Sequence, residues 1–175
     1  LNPAQESPPP NEPFVLVVDQ SAGDCSIALG LAGPRCFQQM LREALRDHPD
    51  CTVVVKVHPD VIRGRARGHF RRRDLQHPRI HLCADGLHPA ALLEQARAVY
   101  VVTSQMGFEA LLWGKPVHCF GMPFYAGWGL TRDRLPAPAR RRAGVALEAL
   151  VHAALVAGTR CVDPHRHRRC SIEEL

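Results

Sequence analysis

Short runs of continuous apolar, largely β-branched residues constrain this chain more than any other feature. They are Phe14-Val15-Leu16-Val17-Val18, Thr52-Val53-Val54-Val55-Lys56-Val57, Val99-Tyr100-Val101-Val102 and Val117-His118-Cys119-Phe120. Runs of this length without polar alternation mark strands buried on both faces, as in a parallel sheet. Arg79-Ile80-His81-Leu82-Cys83 reads as a further strand. Helical periodicity fills the gaps. Residues 34–47 place Phe37, Met40, Leu41, Ala44 and Leu45 on one face, with Pro34 suited to the first turn. Residues 89–98 carry Leu92, Leu93 and Ala96, and residues 105–113 end at Gly114 and Pro116. Residues 145–157 repeat Leu147, Leu150, Val151, Ala154 and Leu155. Strands alternating with helices predict an α/β fold, a Rossmann-like doubly wound parallel sheet with right-handed crossovers.

The domain is expected over residues 14–160, after a proline-rich linker (1–13) and before a surface tail (161–175). Leu1 in place of a methionine suggests a segment of a longer chain. No apolar run approaches the roughly 20 residues that span a bilayer. Seven cysteines, an odd number without regular spacing, fit a reducing cytoplasm better than a disulfide framework. The net charge of +5 points to an anionic partner.

Parallel sheets of this kind bind ligands beyond the carboxyl ends of their strands. Here those ends are polar: Asp19-Gln20, His58-Pro59, Asp85 and Thr103-Ser104. At Thr103-Ser104-Gln105-Met106-Gly107-Phe108-Glu109 a strand gives way to a helix, where hydroxyls and free N–H groups favour an anion such as phosphate. Gly107 would admit a ligand close to the first turn. Glu109 would accept ribose hydroxyls. The plainer alternative is that a hydroxyl simply caps the helix. His58, followed by the rigid Pro59, could donate to a phosphate oxygen or a leaving group. Asp19 could act as a nucleophile or position the sugar, or it could cap the next loop through backbone N–H groups.

Arg63, Arg65, Arg67, Arg71, Arg72 and Arg73 form a basic run. It fits either a solvated loop or a surface for anionic lipid or acidic glycan. Nucleic acid is not expected as a partner, since Phe70 is the run's one stacking aromatic. Cys161, His165, His167 and Cys170 have spacings that zinc could use, but a surface tail is the simpler reading and no metal site is expected.

Together these segments resemble the capsule-assembly β-Kdo transferases of the KpsC type. The motifs carrying the resemblance include Leu16-Val17-Val18-Asp19-Gln20, Gly23-Asp24-Cys25-Ser26-Ile27 and Val55-Lys56-Val57-His58-Pro59-Asp60. Tyr100-Val101-Val102-Thr103-Ser104-Gln105-Met106-Gly107-Phe108-Glu109-Ala110-Leu111 and Phe120-Gly121-Met122-Pro123-Phe124-Tyr125-Ala126-Gly127-Trp128-Gly129 complete them. The resemblance implies the donor-binding half of a GT-B glycosyltransferase that transfers Kdo from CMP-Kdo with retention. The product would be the lipid linker of a Gram-negative capsular polysaccharide. It implies that His58, Thr103, Ser104 and Gln105 hold the nucleotide sugar, that Glu109 or Asp85 binds its ribose, and that Asp19 is the nucleophile. An N-terminal acceptor domain would supply the acid/base residue, so the segment alone would be inactive. The expected partners are CMP-Kdo and a lipid-linked glycan acceptor, with no cofactor. The expected location is cytoplasmic, peripheral to the inner membrane, with contact through the arginine run. A non-catalytic module docking anionic lipid or capsule polysaccharide is the alternative.

Overall fold

In the computed structural model, which describes residues 12–57, 59–83, 89–141 and 143–174, the apolar runs form a six-stranded parallel sheet. Its strands are β1 (Phe14–Val18), β2 (Thr52–Lys56), β3 (Ile80–Cys83), β4 (Val99–Val101), β5 (Val117–Cys119) and β6 (Arg132–Asp133). The order is β3-β2-β1-β4-β5-β6, the doubly wound arrangement expected from the sequence. Strand β6 is only two residues long and has no apolar pattern, so no periodicity announces it.

Every residue of β1 is buried, and its side chains divide between two cores. Phe14, Leu16 and Val18 join Leu92 and Leu93 of α4 (Pro89–Gln95), Phe108 and Leu111 of α5 (Met106–Leu112) and Leu150 of α6 (Leu147–Val151). Val15 and Val17 join Ile27 of α1 (Cys25–Leu29) and Phe37, Met40 and Ala44 of α2 (Pro34–Asp47). This strict alternation is why the strand must be apolar throughout. Each large side chain buried this way contributes about 1.5–3 kcal/mol. Arg79 closes the end of α2 by donating to the carbonyls of Leu45 and His48, each at 2.7 Å.

Three segments depart from the sequence reading. Helix α1 stands in the stretch after Asp19 that reads as a loop, begun by Asp24, whose Oδ1 accepts the Ser26 N–H at 2.8 Å. The short helix α3 (Pro59–Ile62) follows β2. The expected C-terminal tail is instead an antiparallel hairpin, β7 (Cys161–Asp163) with β8 (Arg168–Cys170). Asp163 Oδ1 holds its turn by accepting the N–H groups of His165 at 2.8 Å and Arg166 at 3.0 Å. Among the described residues, no three His, Cys, Asp or Glu side chains are arranged to hold a metal ion. No helix among them is long and apolar enough to cross a membrane.

Candidate functional site

Strands β1 and β4 lie side by side, with Leu16 opposite Val99. From them the sheet grows in opposite directions, which leaves a crevice beyond their carboxyl ends. The crevice is a cleft of about 610 Å³. Its walls come from the ends of β1 (Asp19, Gln20, Ser21), α1 (Asp24, Ser26), β2 (Lys56, Val57) and β4 (Thr103, Ser104, Gln105), with Phe124 at the rim.

Gln20 builds the floor. Its Nε2 donates to Thr103 Oγ1 at 3.0 Å and to Asp24 Oδ2 at 3.0 Å, while its Oε1 accepts the Thr103 N–H at 3.0 Å. Ser26 Oγ lies 3.0 Å from Thr103 Oγ1 and joins the same network. Gln20 is 5% exposed and Thr103 8%, so these bonds are largely screened from water and fix the site's shape.

Asp19 is enclosed beside it. Its Oδ1 accepts the Gln20 N–H at 2.9 Å and the His69 N–H at 3.2 Å, and the His69 ring nitrogen Nδ1 lies 3.5 Å away. A Cβ on Gly68 would collide with Asp19 Oδ2, so only glycine lets the chain pass here. His69 in turn bonds the Gln20 carbonyl through Nδ1 at 2.9 Å and stacks on Phe37 with ring centroids 3.8 Å apart. The Asp19 carboxylate is thus engaged by two backbone N–H groups, and its side chain, though part of the cleft wall, is 2% exposed.

The start of α5 is likewise occupied. Ser104 Oγ accepts the Met106 N–H at 3.3 Å, the Ser104 carbonyl accepts that of Gly107 at 3.0 Å, and the Gln105 carbonyl accepts that of Phe108 at 2.9 Å. These first-turn donors are spent within the chain, so recognition here falls to side chains. Gly107 does not make room for a ligand, as its sequence context suggests. A Cβ there would overlap the Tyr125 hydroxyl, which donates to the Ser104 carbonyl. Burial raises Tyr125 well above the ordinary phenol range and keeps it a neutral donor.

The aromatic loop that carries Phe124 is braced from several sides. Trp128 Nε1 donates to the Phe124 carbonyl at 2.8 Å, and Arg141 donates to the carbonyls of Pro123 (2.6 Å) and Ala126 (2.7 Å). The Met122 N–H reaches the Gly30 carbonyl at 2.7 Å. Phe124 itself is 44% exposed, a flat apolar face held at the rim.

Of the residues singled out in the sequence, Asp19, Thr103, Ser104 and Gln105 meet at this cleft. Glu109 lies half-buried one turn into α5 and is not among the described lining residues, so the cleft gives no support to a ribose contact there. His58 and Asp85 lie outside the described residues. Gln20 was noted only as a polar strand end, and sequence reasoning passed over Ser26, Lys56 and Phe124. Lys56, the cation among the described lining residues, was read only as part of an apolar strand. Phe124 lies among the glycines and aromatics of residues 120–129, a composition that was the available signal.

A doubly wound sheet with a polar cleft at its switch point defines a Rossmann-like ligand-binding domain. The model of the family described as capsule polysaccharide biosynthesis protein matches residues 3–160, and the chain belongs to that family. It is 43% identical over 162 residues to the capsule polysaccharide modification protein LipA of Neisseria meningitidis serogroup B, covering 89% of this chain and 23% of the relative. It is 39% identical over 140 residues to the lipopolysaccharide-processing protein LpsZ of Rhizobium meliloti, covering 80% of this chain and 32% of the relative. Among solved structures, the KpsC β-Kdo 2,4 transferase of Thermosulfurimonas dismutans superposes with a TM-score of 0.85 at 40% identity, over 97% of this chain and 54% of that one. The β-Kdo 2,7 transferase of the same organism gives 0.72 at 31% identity, over 95% of this chain and 52% of that one. The chain thus spans about half the length of these solved relatives and less than a third of the curated ones.

Proposed function

We propose that this chain forms the donor-binding part of a retaining β-Kdo glycosyltransferase that uses CMP-Kdo in capsular linker assembly. The observation that carries the reading is the switch-point cleft, in which Lys56, Ser104 and Gln105 share one wall system with Phe124. Transfer breaks the bond between the Kdo anomeric carbon and the phosphate oxygen, and negative charge gathers on the departing CMP. The Lys56 ammonium and the Ser104 hydroxyl would stabilise that charge, and Phe124 would stack on the pyrimidine. Gln20, Thr103 and Asp19 hold these groups in place. The nucleophile that retention requires is assigned to a second domain facing the cleft, together with the acid/base group. The work belongs at the cytoplasmic face of the inner membrane, where a lipid-linked acceptor would be presented.

Calorimetry with CMP, UMP and GMP tests the reading. CMP should bind most tightly, and Lys56→Ala should weaken it about tenfold, the loss of one charge-assisted contact. Equal affinity for all three nucleotides, or none for any, would overturn it.

A further inference from the structure

Residues 63–73 carry six arginines, every one of them exposed, yet their backbone is tied down along its length. The N–H groups of Arg65 and Ala66 donate to the Asp60 carbonyl at 2.8 and 3.0 Å. The Arg67 carbonyl accepts the Ala22 N–H at 2.6 Å, which seats the loop against the cleft's β1–α1 edge. His69 is held by Asp19 and by Gln38, whose Nε2 donates to the His69 carbonyl at 2.8 Å. Arg71 and Asp74 then close a reciprocal cap on the turn that follows.

We propose that this arginine loop is a docking surface for a carboxylated glycan chain lying beside the cleft. A fixed backbone bearing solvent-facing guanidinium groups has already met much of the ordering cost of binding. Guanidinium forks match carboxylates bidentately, and a glycan with one carboxylate per sugar offers a repeating partner to a row of them. A lipid surface is the poorer fit, because insertion needs an apolar anchor. The loop's one aromatic, Phe70, packs inward instead, edge-on to Phe37 with centroids 6.2 Å apart. For the same reason the loop offers no exposed ring for stacking nucleic acid bases.

The proposal rests on the cleft being a sugar-transfer site, and the experiment separates the two. Titration of this chain with tetragalacturonate, with maltotetraose as the neutral control and CMP in parallel, reads both sites. Tetragalacturonate should bind, and Arg65→Gln/Arg67→Gln/Arg71→Gln should weaken it about tenfold while CMP affinity stays within about twofold. His69→Ala, which keeps every arginine but removes the ring's bond to the Gln20 carbonyl and its stack on Phe37, should also weaken the acidic glycan. Equal binding of maltotetraose, wild-type affinity in the triple variant, or capture by phosphatidylglycerol vesicles without glycan binding would overturn the proposal. Arginine-dependent glycan binding in a chain that ignores CMP would sustain it and sink the donor reading instead.

Discussion

Gln20 and Thr103, 83 positions apart, clasp each other across the sheet's switch point: the Thr103 N–H donates to Gln20 Oε1, and Gln20 Nε2 donates to Thr103 Oγ1, each at 3.0 Å. The amide is the one neutral side chain of this size that offers a donor and an acceptor side by side. It pins the two strand ends that form the cleft floor, so cleft shape and domain stability depend on the same bonds.

Gln20→Ala should therefore destabilise the chain by about 1–3 kcal/mol, because the Thr103 N–H loses its partner in a buried setting and the hydroxyl keeps only Ser26. Gln20→Glu should cost more at neutral pH despite its near-identical shape. A carboxylate cannot donate to Thr103, and it would sit beside Asp24, whose Oδ2 now accepts from Gln20 Nε2. The gap between the two variants should close as the pH falls, since a protonated carboxyl regains a donor. Urea unfolding at several pH values reads this directly, and a Glu variant as stable as wild type at neutral pH would refute the bonding scheme.

Asp19→Asn separates positioning from chemistry. An amide nitrogen in place of either carboxylate oxygen weakens or opposes the bonds to the His69 and Gln20 N–H groups, so the loop should loosen by about 1–2 kcal/mol. Hydrogen exchange at the His69 amide should speed up accordingly. If exchange there is unchanged while nucleotide binding disappears, Asp19 touches the ligand rather than the loop.

Much of the sheet is legible in the sequence because two-sided burial leaves no room for polar residues in β1 or at the three valines of β2. Helix α2 was equally plain from Phe37, Met40, Leu41 and Ala44. What the sequence hides is pairing at a distance. His69 lies 50 positions from the Asp19 it holds, and nothing local marks either partner. Gly107 shows the same limit: the helix start was visible, but the occupant of the space beside it comes from Tyr125. Lys56 was masked by the valines before it, since a strand-end cation looks the same whether it faces solvent or a cleft.

The Tyr125 hydroxyl and Gly107 should behave as one unit. Tyr125→Phe removes the bond to the Ser104 carbonyl and should cost about 1 kcal/mol. Gly107→Ala pushes the ring away, breaking the same bond and adding a packing clash, for about 2 kcal/mol or more. The double variant should fall short of the sum, because the bond can be lost only once. Additive losses in denaturant melts would mean that the two residues act separately.

His118 predicts how stability responds to acid. It is 5% exposed and stacked on Tyr100 with centroids 4.2 Å apart. Burial, reinforced by Arg132, lowers its pKa from 6.5 to about 4. From pH 6.5 down to about 4 the unfolded chain takes up a proton that the native chain refuses, so stability drains as the pH falls through that window. Below about 4 both forms are protonated and this contribution is gone. The total loss is on the order of 3 kcal/mol. His118→Gln has no proton to gain and should flatten the dependence, even if it lowers stability at neutral pH. Urea midpoints taken through this range decide it: a variant that loses stability as steeply as wild type would place the titrating group elsewhere, with His48, whose pKa burial also lowers, the next to test.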